Sequence, residues 1–262
     1  MPFTISHAAA VLPLQRITRS RIPLAALMIG SMTPDFAYFL PVAITRTSTH
    51  DFDGLFLFCL PVGLAVWALF VRLLERPTIE LLPTPWRERI PRSPRITIRK
   101  LAVAALGILI GAVTHIAWDS FTHGGTPVSN LFPVLNVVLL EFRGRSIPIS
   151  QMLQYLSSVA GLLALAYWGY NLRNAPTPAR RSHEPHGFLS DRTRILAAVM
   201  LVGTSAVAAL AAFFGARGDP FEERVFHMII SGMIAWALAW CVVAVMVIQL
   251  AQRAPVAARS RR

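Results

Sequence analysis

The chain has 262 residues, 55% hydrophobic and 15% charged, with a mean hydropathy of +0.54. Several apolar runs reach the roughly 20 residues needed to cross a hydrocarbon core of about 30 Å, and they are apolar on every side, which argues against a barrel of short alternating strands. The net charge of +12 comes from basic residues grouped between those runs, where an inner-leaflet orientation signal is expected, so nucleic acid is not an expected partner.

The chain opens MPFTISHAAAVLPLQ, too weakly apolar and without the basic start of a cleavable signal peptide. It reads as a short helix carrying His7, capped by Thr4 or Ser6. Arg16, Arg19 and Arg21 follow, then LAALMIGSMTPDF, apolar for only about ten residues before Pro34 and Asp35. Proline removes a backbone donor, so the helix breaks there, and a broken half-helix is tolerated in a membrane where it packs inside protein or lines a cavity. The N-terminal 53 residues are therefore expected to form a re-entrant or capping helical hairpin. The alternative is a sixth crossing, which would put Arg16, Arg19 and Arg21 inside.

Residues 41–53, PVAITRTSTHDFD, read as a loop with Asp53 capping the first confident span, 54–74. The Arg- and Pro-rich connection 75–100 is expected in the cytoplasm. A second span covers 101 to about 119 and a third 151–172, joined by a loop with few charges. A basic segment, 173–194, precedes spans at 195–215 and about 221–250, and the tail is again basic. Asp219, Pro220 and Glu222 supply a start signal for the last helix. Alternation of Arg-rich and Arg-poor connections gives five spans with the C-terminus cytoplasmic. The expected architecture is an all-α, multi-spanning transmembrane helical bundle: residues 1–172 a metal-site membrane domain, 173–194 a basic linker, and 195–262 a two-helix hairpin with a basic tail.

The stretch with most chemistry is 107–125, GILIGAVTHIAWDSFTHGG, where Gly107, Gly111, His115, Asp119 and His123 recur every fourth position. Residues four apart share a helix face, so His115 and Asp119 project together. Ionisable groups inside a membrane-length helix are costly and face a bundle interior or a wet cavity. The pair is either a site or a hydrogen-bonded pair that only joins helices. It lies far from the basic loop 75–100, hence near the outer surface, and Asp35, His50, Asp51, Asp53 and, with an external N-terminus, His7 can reach the same level. His227, near the outer end of the last span, is a further candidate, with an interfacial helix-end histidine as its plainer reading. The His-x-x-His of His183 and His186 lies in the opposite, cytoplasmic loop. Cys59 and Cys241 sit in spans without ligand spacing and read as packing residues.

Histidine and aspartate suit a borderline ion such as zinc, which catalytic sites hold by a few N and O ligands with one position open. His115 and Asp119 give two ligands from one turn, and Asp35, His50 and His7 complete a mononuclear or dinuclear set. No phosphate-cradling Gly-rich loop with a lysine and no Gly-x-Ser-x-Gly elbow is present, which leaves metal-assisted hydrolysis as the enzymatic reading.

The opening PFTISHAAAVLPL together with IGSMTPDF resembles an uncharacterised bacterial family of integral membrane proteins that begin Pro-Phe-Thr-x-Ser-His, over most of the first 170 residues. More distantly, the ordered set His, Gly-Ser-x-x-Pro-Asp, His, then Gly-x-x-x-His-x-x-x-Asp looks like the membrane-bound metal-dependent hydrolases and the bacterial zinc-dependent phospholipase C group. That likeness implies metal ligation by His7, Asp35, His50, His115 and Asp119, with His123 where a further ligand falls. The chain departs from the soluble enzymes in placing the motif in a membrane span, and it has no His-x-x-x-Glu pair for another metal. The expectation is a bacterial inner-membrane protein that uses a divalent ion, zinc by preference, to hydrolyse an ester or phosphoester of a lipid-like substrate near the outer leaflet. The rivals are a non-catalytic membrane protein with a structural His/Asp cluster and a transporter, against which stands the gathering of polar groups at one end.

Overall fold

In an apolar solvent every backbone donor and acceptor must be satisfied within its own segment, and the apolar runs accordingly fold as long helices. The computed structural model describes residues 3–18, 21–40, 44–90, 93, 96–142, 144–176 and 188–253. Within them the chain is all-α apart from one two-stranded hairpin. Five helices are long and apolar enough to cross a membrane: Phe52–Leu81, Ile98–Thr122, Ile149–Leu172, Asp191–Gly215 and Phe221–Gln252. This is the fold class and the number of long helices expected from the apolar runs, and it is compatible with a multi-pass membrane protein. The motif His183–His186 lies outside the described residues.

The first long helix begins two residues earlier than expected. Its cap is Asp51, whose Oδ1 accepts the Gly54 amide at 2.6 Å; Asp53 falls in the first turn instead. The helix also continues past the expected end at residue 74. Glu75 does not end it, because the amide and hydroxyl of Ser93 donate to its carboxylate at 2.6 to 3.0 Å. Two of its turns are widened to π geometry, Leu55–Cys59 and Phe70–Leu74. Pro61 and Pro77 explain both, since each proline lacks the donor for the carbonyl four residues back, and Leu57 and Leu73 fall inside the two widened turns.

The chain packs as two compact units, residues 1–68 with 95–171, and residues 69–94 with 172–262. In the second unit the last two long helices form an antiparallel pair. Ser205 Oγ donates to the Gly232 carbonyl at 2.8 Å, and Arg224 Nε to that of Phe213 at 3.1 Å. Trp240 Nε1 donates to Thr78 at 2.9 Å, and Leu189, Ala197, Val243 and Val247 form the buried core. Half-exposed His227 lies in this unit, 4.0 Å from Asp219.

In the first unit the N-terminal region is a chain of short helices, Thr4–Ala9, Leu12–Ile17, Leu24–Gly30 and Thr33–Phe39. Pro34 falls in the first turn of the last of these, the break expected there. Neither Thr4 nor Ser6 caps the first piece: Ser6 Oγ donates to the Phe3 carbonyl, and Thr4 is drawn to Asp35. Leu24–Gly30 is only about 10 Å long at 1.5 Å per residue, far too short to cross, and it lies against Ile98–Thr122. Val11, Ile22 and Leu27 form one buried cluster there, and Phe58, Cys59 and Ala112 another.

The loop after the second long helix is more ordered than its sequence suggests. Thr126 and Ser129 close a reciprocal capping box over Pro127–Leu131, and Val138–Phe142 pairs antiparallel with Arg145–Pro148 through a turn at Gly144, φ +76°. Leu131, Phe132, Val134, Val137 and Leu139 are exposed along it.

Candidate metal centre

The site begins with glycine spacing. A Cβ on Gly111 would overlap backbone of Leu27, Gly30 and Ser31, and one on Gly30 would overlap that of Ile108. The helices Leu24–Gly30 and Ile98–Thr122 therefore meet backbone to backbone. That approach sets the Ser31 carbonyl 2.8 Å from His115 Nδ1. A carbonyl only accepts, so Nδ1 carries the proton and Nε2 presents a lone pair.

His50 is prepared in the same way. Thr45 caps a short helix, Arg46–Thr49, whose Arg46 carbonyl and Thr49 hydroxyl each lie 2.9 Å from His50 Nδ1; the hydroxyl donates to that carbonyl at 3.0 Å, which leaves Nδ1 as the donor to it as well. Asp35, in the helix started by Pro34, accepts the Thr4 hydroxyl on Oδ2 at 2.8 Å. Asp119, one turn beyond His115, accepts Arg46 Nη2 on Oδ2 at 2.6 Å.

These segments converge. His50 Nε2 lies 3.7 Å from Asp35 Oδ1 and 3.5 Å from Asp119 Oδ2; His115 Nε2 lies 3.6 Å from each of the same two oxygens. His7 Nε2 lies 3.5 Å from Asp119 Oδ1, and its ring stacks on that of His115 with centroids 3.8 Å apart. All of these separations exceed a hydrogen bond, and the Nε2 atoms of His7, His50 and His115 and Oδ1 of Asp119 are buried without a hydrogen-bond partner. Atoms bound to one ion at about 2.0 to 2.2 Å in tetrahedral array lie roughly 3.3 to 3.6 Å apart, and these nitrogen–oxygen pairs, at 3.5 to 3.7 Å, stand at or just beyond the upper end of that range.

Two overlapping sets could hold a metal ion, His7 with Asp35 and His115, and His50 with His115 and Asp119, each with its ligand atoms within 4.8 Å of one another. Asp35, His115 and Asp119 are 1 to 3% exposed and His7 is 4% exposed. Burial, with His115 close by, pushes the His7 imidazole down to about 3, and burial pushes the Asp35 carboxyl up from its ordinary value. A neutral imidazole and a carboxylate held in low dielectric are what a cation relieves.

The five residues expected at the site are brought together. His123 stands at the rim: its Nδ1 lies 3.6 Å from Asp119 Oδ2 and faces the Asp119 carbonyl at 3.2 Å, and it belongs to neither ligand set. Burial lowers its imidazole to about 4. Asp51 is spent on its cap. Sequence reasoning missed Arg46 and Thr4. The single arginine of the polar connection 41–53, four residues from His50, was the available signal for Arg46; nothing local marks Thr4.

No curated protein and no solved structure matches the chain. One family model does, over residues 1–255, and its description is "Domain of unknown function (DUF4184)". By that match across nearly its whole length, the chain belongs to the DUF4184 family.

Proposed function

We propose that residues 1–172 form a membrane-embedded, metal-dependent hydrolase that acts on an ester or phosphoester of a lipid-like substrate. The observation that carries this is the convergence of His7, His50, His115, Asp35 and Asp119 with their ligand-type atoms turned inward, buried and 3.5 to 3.7 Å apart. The mixed imidazole and carboxylate set suits zinc. His115 has one ring nitrogen left after its bond to Ser31, so it serves a single ion, which takes its other ligands from His7 and Asp35 or from His50 and Asp119.

A bound divalent ion supplies Lewis acidity there, polarising an ester oxygen and making water a nucleophile near neutral pH. The chain's own residues do the positioning. Ser31 and the Arg46 carbonyl fix the tautomers of His115 and His50, and Thr4 turns Asp35 so that Oδ1 faces the cavity. Such outer partners typically alter metal affinity ten- to a hundredfold. Two features favour a lipid-like substrate: the site lies in the last turns of a long apolar helix, and the connection that follows exposes Leu131, Phe132, Val134, Val137 and Leu139. The alternation of Arg-rich and Arg-poor connections supports a site on the outer side of a bacterial inner membrane with the C-terminus in the cytoplasm.

The ion pair between Arg46 and Asp119 favours a second reading, a cluster that only braces the helices. Elemental analysis of the detergent-purified full chain separates the two. The hydrolase reading requires about one chelatable zinc per chain, and hydrolysis of a short-chain lipid ester or phosphoester that stops on chelation and returns with zinc. A metal-free protein that takes up no added zinc leaves the bracing reading.

A further inference from the structure

We infer that Arg46 makes this buried cluster a site for an oxyanion, so that the group taken is a phosphoryl group in preference to a neutral ester. The inference rests on the metal reading above and narrows its substrate.

Arg46 meets Asp119 by one nitrogen only. Nη2 donates to Oδ2 at 2.6 Å, while Nε is buried without a partner, and so is Oδ1 of Asp119. A guanidinium whose role was to neutralise a buried carboxylate would engage both oxygens with its planar fork. Here each group keeps an unused atom, so the pair is not closed on itself. The Arg46 side chain is 33% exposed while that of Asp119 is 5% exposed. The arginine therefore reaches from the protein surface to the ligand cluster and carries a buried donor there.

Charge points the same way. An imidazole that ligates an ion is neutral, so a bound divalent ion, Arg46 and the carboxylates of Asp35 and Asp119 sum to one net positive charge at the cluster. An uncompensated charge in low dielectric is strongly disfavoured. An oxyanion cancels it in place of the ion's own hydroxide, accepting from the guanidinium with one oxygen and facing the ion with another; a neutral ester brings no charge of its own. A lipid headgroup phosphate and free inorganic phosphate share this chemistry.

The test uses the zinc-loaded full chain in detergent, titrated calorimetrically with inorganic phosphate, with dihexanoyl phosphatidate and with uncharged dihexanoylglycerol. Both phosphates are expected to bind, and the neutral ester at least tenfold more weakly. Arg46→Gln should keep its zinc and lose about tenfold or more in phosphate affinity, the scale of a charge-assisted hydrogen bond; Arg46→Lys should recover part of the loss. Tighter binding of phosphatidate assigns the lipid headgroup and tighter binding of inorganic phosphate the free anion, and either supports the inference. Undiminished phosphate binding by Arg46→Gln overturns it, as does equal binding of the neutral ester. Loss of zinc from Arg46→Gln would make the residue a support for Asp119 and also overturns it. Wild-type protein without zinc refutes the metal reading and the inference together, so the two failures are told apart by metal content.

Discussion

Gly111→Ala tests the link between helix packing and the site. An alanine Cβ there would stand 2.5 Å from Ser31 N and 2.8 Å from the Gly30 carbonyl carbon, and would overlap the Leu27 carbonyl oxygen. These are backbone atoms and cannot swing aside. Restoring ordinary contact requires Leu24–Gly30 to retreat by roughly 1 Å. The bond from His115 Nδ1 to the Ser31 carbonyl, 2.8 Å long, would then open to about 3.8 Å, outside hydrogen-bond range. Overpacking costs about 1 to 3 kcal/mol and an orphaned buried carbonyl about 1 to 3 kcal/mol more. The better helix propensity of alanine returns only about 1 kcal/mol, so destabilisation wins by a few kcal/mol. At about 2 to 4 °C per kcal/mol for a chain of this size, the melting midpoint in detergent should fall by roughly 5 to 15 °C.

Gly107→Ala is the control on the same face. Its Cβ would meet Ile22 Cγ2 at 2.7 Å and Ala26 Cβ at 3.2 Å, both side-chain and not backbone atoms, so the Ile22 methyl can yield by a small turn about χ1 without a shift of the helix. Strain and propensity nearly cancel there, and the midpoint should move by no more than a few degrees. Zinc affinity should fall at least tenfold in Gly111→Ala and stay at the wild-type value in Gly107→Ala. Equal losses at the two positions, or a wild-type midpoint for Gly111→Ala, would refute the claim that backbone contact at Gly111 holds the histidine in place.

Removing the outer partner of Asp35 by Thr4→Val should weaken zinc binding ten- to a hundredfold while leaving the helices formed, read by competition with a chelating dye; unchanged affinity would show that Thr4 does not orient the carboxylate. His115→Ala and Asp119→Ala should each abolish stoichiometric zinc in elemental analysis with the protein still inserted in the membrane, whereas His183→Ala should keep it; zinc retained in both site variants sinks the ligand assignment. For topology, cysteines placed at Ile90 and Asn130 should label from opposite sides of the membrane, since the first follows an Arg-rich segment and the second an Arg-poor one; labelling from the same side contradicts the five-span arrangement. Arg16→Cys should label from the same side as position 130, and its protection from external reagent would instead favour a sixth crossing.

The long helices were legible because a bilayer-length apolar run leaves the backbone few alternatives; their ends were less so. The Arg- and Pro-rich connection 75–100 reads as the end of the first span at residue 74, yet the helix runs on to Leu81, where Ser93 answers Glu75 and Trp240 answers Thr78, partners that are distant in sequence. The cap at Asp51 instead of Asp53 turns on which side chain reaches the Gly54 amide, a local choice that composition does not resolve. The hairpin 138–148 was missed because VLLEF carries no clear alternation and its turn signal is the single Gly144. For the site, His115 and Asp119 declared themselves by falling one turn apart in an apolar helix. Thr4 and Arg46 did not, because a threonine in a helical turn and an arginine in a polar connection are ordinary until the fold brings them onto carboxylates.

The choice between a bracing cluster and an ion site turns on the kind of polar atom facing the cavity. A brace pairs donors with acceptors, and its cost is recovered in hydrogen bonds of about 2.7 to 3.2 Å. Here Nδ1 of both His50 and His115 is given to a carbonyl, so their Nε2 atoms can only accept, and they converge on carboxylate oxygens that also only accept. Donors cannot be supplied by protonating the histidines, since Nε2–H at 3.5 to 3.7 Å from a carboxylate still makes no hydrogen bond and His7 and His115 are stacked 3.8 Å apart. One water offers two hydrogens to a larger set of lone pairs. Leaving several buried acceptors unmet at about 1 to 3 kcal/mol each would consume much of the 5 to 15 kcal/mol that holds a typical domain together. A cation meets three of them at once, and Arg46, reaching only one oxygen of Asp119, meets too few to replace it.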